Sequence, residues 1–119
     1  MNFEAIIVIV ERGKANAIVK RAAEEGAHGA TIIYGRGSGE QVFSFFRSLQ
    51  VEPSKEIIMI IVPEENLQRI FDVVVEVAQV RQRGKGIAFT VPLRNLTGLS
   101  IGNTQIVKGR PVETPNGEE

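Results

Sequence analysis

Two glycine-rich turns hold the residues best suited to chemistry in this chain. Gly35-Arg36-Gly37-Ser38-Gly39 follows an apolar run, and Gly84-Lys85-Gly86 precedes another. Glycine permits positive φ and leaves backbone N–H groups open to close approach. Each turn also brings cations: Arg36 in the first, and Lys85 with Arg81 and Arg83 just upstream in the second. That combination suits a bound anion, most simply a nucleotide phosphate. Both turns have plainer readings. The first neither opens an apolar-periodic helix nor ends in Gly-Lys-Ser/Thr, so it is no P-loop or dinucleotide fingerprint, and it serves equally as a hairpin stem. The cations of the second serve equally to cap the negative end of a preceding helix dipole.

Other chemistry is sparse. His28, the only histidine, sits between Ala27 and Gly29 and reads as a surface turn residue rather than a ligand or base. Glu64 and Glu65 follow Pro63 and read as helix-start carboxylates. With Cys at 0 there is no thiolate metal site and no disulfide framework, which suits a reducing cytoplasm. No paired-acid or Ser/His/Asp arrangement stands out, so no catalysis and no metal site are expected. Phe43, Phe45 and Phe46, beside Arg47, form either a local loop core or an exposed docking surface.

Composition narrows the class. Hydrophobic content of 43% and charged content of 24% over 119 residues describe one soluble globular unit. Lys+Arg and Asp+Glu both number 14, so no global field draws the chain to nucleic acid. Ala5–Val10 and Ile57–Val62 are too short to span a bilayer, and the first residues lack a signal-peptide pattern. A cytoplasmic location without membrane insertion is expected.

The turns must be held by the elements around them. Ala5–Val10, Ala30–Tyr34, Ile57–Val62 and Ile87–Val91 are short, apolar and rich in β-branched residues, as strands are. Ala15, Ile18, Val19 and Ala22 recur at helical spacing before Gly26. Leu67, Ile70, Phe71, Val74, Val77 and Ala78 do so after Pro63. Residues 38–55 are irregular, with part of them fit for a short helix. The order β-α-β-β-α-β predicts an α+β ferredoxin-like sandwich, an antiparallel sheet with two helices on one face. Strands one and three, the central ones, are apolar on both faces, where a sheet with one wet face would alternate. The helix-free face therefore needs a cover, and the chain is expected to oligomerise. Residues 1–99 form the domain, and 100–119 are expected as a partly disordered C-terminal extension, without order from Lys108.

Five segments in this order and spacing resemble the PII family of trimeric nitrogen-regulatory signalling proteins, and more closely its PII-like branch with an altered T-loop. They are Glu4–Ile7, Gly26–Thr31, Gly35–Gly39, Glu56–Pro63 and Gly84–Phe89. The resemblance implies a homotrimer that binds an adenine nucleotide in clefts between subunits. Gly37, Ser38 and Gly39 match the T-loop base, and Gly84, Lys85 and Gly86 the B-loop. Thr31 matches a threonine that reaches the base from the neighbouring subunit, while Ile7 and Ile61 match apolar positions of the pocket.

The chain departs from the family pattern in three places. The phosphate-gripping B-loop lysine falls at Ile87, with Lys85 as its candidate replacement. Arg94 lies too early, and Lys108 and Arg110 too late, to match the C-terminal arginine pair. No tyrosine occurs in 38–54, which excludes uridylylation there on the usual residue type. The resemblance thus implies ADP, AMP or a cyclic adenine nucleotide as effector more readily than ATP with Mg²⁺ and 2-oxoglutarate, and no required cofactor. It also implies a target protein, a nitrogen-metabolism enzyme or membrane transporter, met through the loop bearing Phe43, Phe45, Phe46 and Arg47. The competing readings are a CutA-type trimer linked to metal-ion tolerance and a small ferredoxin-like enzyme binding an anionic substrate at Arg81, Arg83 and Lys85. Gly86→Asp is expected to abolish nucleotide binding.

Overall fold

The structure, a computed structural model, describes residues 2–36, 54–101, 104–107 and 110–113. The elements run β1 (Phe3–Glu11), α1 (Ala15–Glu24), β2 (Thr31–Arg36), β3 (Ser54–Pro63), a 3₁₀ turn (Glu64–Asn66), α2 (Leu67–Ala78), β4 (Gly86–Leu93), β5 (Leu99–Ile101), β6 (Thr104–Val107) and β7 (Arg110–Glu113). The first four strands form one antiparallel sheet in the order β2-β3-β1-β4. This is the ferredoxin-like arrangement expected from the sequence, with β1 and β3 central.

Strand parity decides what each face does. Ile6, Val8 and Val10 of β1 stand opposite Ile60, Ile58 and Glu56 of β3. The apolar members of that set are essentially inaccessible, packed under Ala15, Ile18 and Ala22 of α1 and Ile70, Val74 and Ala78 of α2. The helix periodicities read from the sequence are thus the ones that fill the core. On the other face the register builds four apolar rows: Pro63–Phe3–Leu93, Ile61–Ala5–Val91, Met59–Ile7–Phe89 and Ile57–Ile9–Ile87. No described helix covers them. Ile33, Met59, Phe89 and Val91 remain 36–43% exposed.

Helix α1 is held at both ends. Gly26, at φ 106°, ends it in the left-handed conformation. The Gly26 and Ala27 N–H groups then donate to Ala23 O and Ala22 O, each at 3.0 Å, closing a Schellman motif. At the start no neighbouring side chain caps the helix. Instead Glu56 of β3, 6% exposed, accepts a hydrogen bond from the Ala15 N–H at 2.8 Å. A buried carboxylate is tolerable here because it faces the positive end of the helix dipole. Glu56→Ala is expected to cost about 1–3 kcal/mol by orphaning that N–H, and Glu56→Gln less, since an acceptor remains. Urea denaturation checks this, and equal midpoints for the Ala variant and the parent would refute it.

After Leu93 the chain departs from expectation. Arg110–Glu113, placed by composition in a segment without order, pairs as β7, and β5-β6-β7 form a second, three-stranded antiparallel sheet. The boundary between β3 and the preceding loop differs too. Lys55 and Glu56 belong to β3, opposite Glu11 and Val10. The suggested short helix lies within 38–53, outside the described residues.

Candidate functional site

The pocket that contains expected base-binding residues lies at the β2–β3 side of the helix-free face. It measures about 280 Å³ and is lined by the Gly26–Thr31 turn, Met59, Ile61, Val62 and Pro63 of β3, and Leu99; of the expected base-binding residues it holds Thr31 and Ile61, and Ile7 is not part of its lining. Thr31 opens β2 opposite Met59, and Met59 stands opposite Ile7. Thr31 and Ile61 therefore share one wall, with Ile7 two strands from Thr31 in the same row. Apart from the exposed His28, its side chains carry no ionisable group. Such a wall suits a flat, uncharged body rather than an anion. Leu99, the first residue of β5, completes the lining.

The two glycine turns sit elsewhere. Both lie at the opposite end of the sheet, where β2 ends at Arg36 and β4 begins at Gly86, opposite Val10. They occupy the two sheet edges, three strand spacings or about 14 Å apart. Gly37, Ser38 and Gly39 lie outside the described residues, as do Phe43, Phe45, Phe46 and Arg47. Gly86 is also about 10 Å along the strands from the row of Thr31 and Ile7. One chain thus separates Thr31 and Ile61 from Gly84–Gly86.

The second turn has a structural duty that the sequence did not reveal. Gly84 is buried at φ 81°, a conformation that favours glycine. A Cβ on Gly86 would lie 2.6 Å from the Ile9 carbonyl oxygen and 3.0 Å from Val10 Cγ1. Gly86→Asp therefore disturbs the β1–β4 pairing before it disturbs any ligand, and is no clean probe of binding. Helix α2 ends at Ala78 with Gln79 in the left-handed region at φ 58°, and no basic residue lies in its last turn. Arg81 and Arg83 are exposed beyond that end, and Lys85 is half-buried.

A second pocket, of about 460 Å³, went unread in the sequence. Arg12, Gly13, Tyr34, Gly35, Ser54, Lys55 and Glu56 line it, where β2 ends and β3 begins. Lys55 is 3% exposed. Burial lowers its pKa from the usual 10.5, and the neighbouring Glu11 carboxylate partly offsets the shift. A lysine whose folded pKa lies below its unfolded value adds stability as pH rises from that folded value toward 10.5, so the effect belongs to alkaline pH. Among the described residues no three of His, Asp and Glu stand together as a metal site. No described helix is long and apolar enough to cross a membrane.

Comparison with known families decides the lineage of this fold. The profile described as Nitrogen regulatory protein P-II matches residues 3–102. The chain belongs to the P-II family. Among solved structures it is similar to Arabidopsis thaliana PII bound to citrate, with a TM-score of 0.64, 20% identity and 81% of each chain covered. It is also similar to a protein from Thermus thermophilus described as PII-like signaling, with a TM-score of 0.58 and 19% identity, covering 78% of this chain and 87% of that one. At these identities the likeness speaks to the fold. A comparison with curated proteins finds no match. P-II proteins are regulators, and the match runs through β4 and β5 to stop just before β6.

Proposed function

We propose that this P-II protein is a cytoplasmic homotrimeric signal transducer that takes an adenine nucleotide between neighbouring subunits and acts on a target protein through a T-loop over residues 38–54. The observation that carries the reading is the uncharged pocket shared by Thr31 and Ile61, separated within one chain from the glycine turns. The base fits the pocket of one subunit, and the phosphates fit the backbone N–H groups of Gly37–Gly39 and Gly84–Gly86 with Lys85 of the next. The four apolar rows supply the surface for assembly. With Ile87 where the usual lysine falls, ADP, AMP or a cyclic nucleotide is the favoured effector over ATP with Mg²⁺ and 2-oxoglutarate. The nucleotide biases the loop by its differential affinity for two loop states, and Phe43, Phe45, Phe46 and Arg47 meet a nitrogen-metabolism enzyme or a membrane transporter.

Calorimetry against adenosine, AMP, ADP, ATP and cyclic AMP, each with and without Mg²⁺ and 2-oxoglutarate, tests this reading. Saturable heat with at least one nucleotide, at one ligand per subunit, is expected. Silence across the panel would overturn the sensor function.

A further inference from the structure

Two segments that line the pocket of Thr31 and Ile61 are distant in sequence and tied in space. One is the turn from Gly26 to Thr31, which leaves α1 at Glu25; the other is the end of β3, up to Pro63. From Pro63 the chain passes through the 3₁₀ turn into α2, whose third residue is Arg69. Arg69 reaches back to the first segment. Its Nη2 donates to the Glu25 carbonyl oxygen at 3.1 Å, across 44 positions of sequence, and its Nε stands 3.6 Å from Glu25 Oε1. The other carboxylate oxygen, Glu25 Oε2, accepts from Arg21 Nη1 at 2.9 Å. A Cβ on Gly26 would lie 3.5 Å from Arg69 Nη2, so the guanidinium rests against the first lining residue of the turn.

These contacts act where the turn is least supported. The last carbonyls of a helix have no partner within it, and Arg69 satisfies that of Glu25 at the point where the chain leaves α1. Backbone hydrogen bonds then hold the turn as far as Ala27, and strand pairing holds it from Thr31, opposite Met59. His28, Gly29 and Ala30 between them are exposed. The Arg69 side chain is itself 53% exposed, and an ion pair so open to water adds little to global stability. Its effect is therefore local, on where one side of the pocket stands relative to the other.

We propose that Arg69 is a positioning residue for this pocket: by holding Glu25 against the start of α2 it sets the spacing of the two lining segments, and with it the affinity for the base. This rests on the nucleotide reading above. Guanidinium suits the role because its planar fork can donate to the carbonyl and the carboxylate of one residue together, whereas an ammonium is a point charge with less directional control.

The test titrates adenosine and ADP calorimetrically into the full-length protein and its Arg69→Gln, Arg69→Lys and Asp72→Ala variants, and follows amide hydrogen exchange in each protein without ligand. Arg69→Gln is expected to weaken adenosine and ADP by the same factor, about fivefold. Exchange over residues 26–30 is expected to quicken in that variant, while the sheet amides keep the parent's protection. Arg69→Lys recovers part of both effects. Asp72→Ala, which removes only the acceptor of a hydrogen bond from Gln68 on the same helix, behaves as the parent. Unchanged affinities in Arg69→Gln would overturn the assignment and leave the nucleotide reading standing. So would a loss confined to ADP, which would put Arg69 on a phosphate, faster exchange throughout the sheet, which would mark general loosening, or the same loss in Asp72→Ala. A parent protein that binds neither ligand overturns the nucleotide reading, and this inference with it.

Discussion

Phe89→Glu is expected to convert the proposed trimer to a folded monomer. Phe89 is 42% exposed in the single chain and lies in the Met59–Ile7–Phe89 row at the middle of the helix-free face. A carboxylate there costs little in an isolated subunit, because the position is already wet. Between subunits it would be desolvated, and symmetry would place like charges near one another, a penalty of several kcal/mol per copy. Sedimentation velocity at micromolar concentration reads the change in mass, and circular dichroism verifies that the subunit still folds. A variant that sediments as the parent does would exclude this face as the subunit interface.

Gly86→Ala is expected to destabilise the subunit by an amount near or above the top of the ~1–3 kcal/mol range for overpacking. The added Cβ meets a backbone oxygen of the central strand, Ile9 O at 2.6 Å, and a main chain yields less readily than a side-chain tip. Relief requires β4 to slip away from β1, which would also move Phe89 and Val91 on the proposed assembly face. Thermal and chemical denaturation measure the effect. Gly13→Ala is the control: Gly13 has positive φ (96°), but its Cβ would meet nothing within 4 Å. A Gly86→Ala loss no larger than that of Gly13→Ala would show that the close approach carries no weight.

Much of the fold was legible because local pattern and tertiary demand agree. The period of Leu67, Ile70, Val74 and Ala78 returned α2 at its observed bounds, since those residues are the ones the sheet buries. The unbroken apolar runs identified β1 and β3 as central. What escaped was set by partners. Lys55 and Glu56 look like loop residues in sequence, yet β1 draws them into β3, where Glu56 caps α1 from 41 residues away. Gly86 read as a phosphate-loop glycine, and its close neighbour, Ile9 O, cannot be seen without the β1–β4 register.

The meander of β5, β6 and β7 did leave a signal. Gly102-Asn103 and Lys108-Gly109 are two-residue, glycine-bearing links between short segments that contain Ile101, Ile106, Val107 and Val112, a hairpin pattern that overall composition obscured. As for the site, the grouping of Thr31 with Ile61 came from family resemblance. The uncharged wall around them, and the separate pocket of Arg12 and Lys55, became visible only with the chain folded.

The central place of β1 has a consequence during synthesis. Phe3–Glu11 is made before either of its partners, one of which begins at Ser54 and the other at Gly86. At about 5–20 residues per second, the wait for the second partner is on the order of ten seconds. Throughout it, Ala5-Ile6-Ile7-Val8-Ile9-Val10 is an uncharged strand former, the kind of segment that stacks with its own copies. The design that gives the finished subunit its core thus exposes the nascent chain to aggregation, and leaves one edge of β1 unpaired until Gly86–Leu93 has been made.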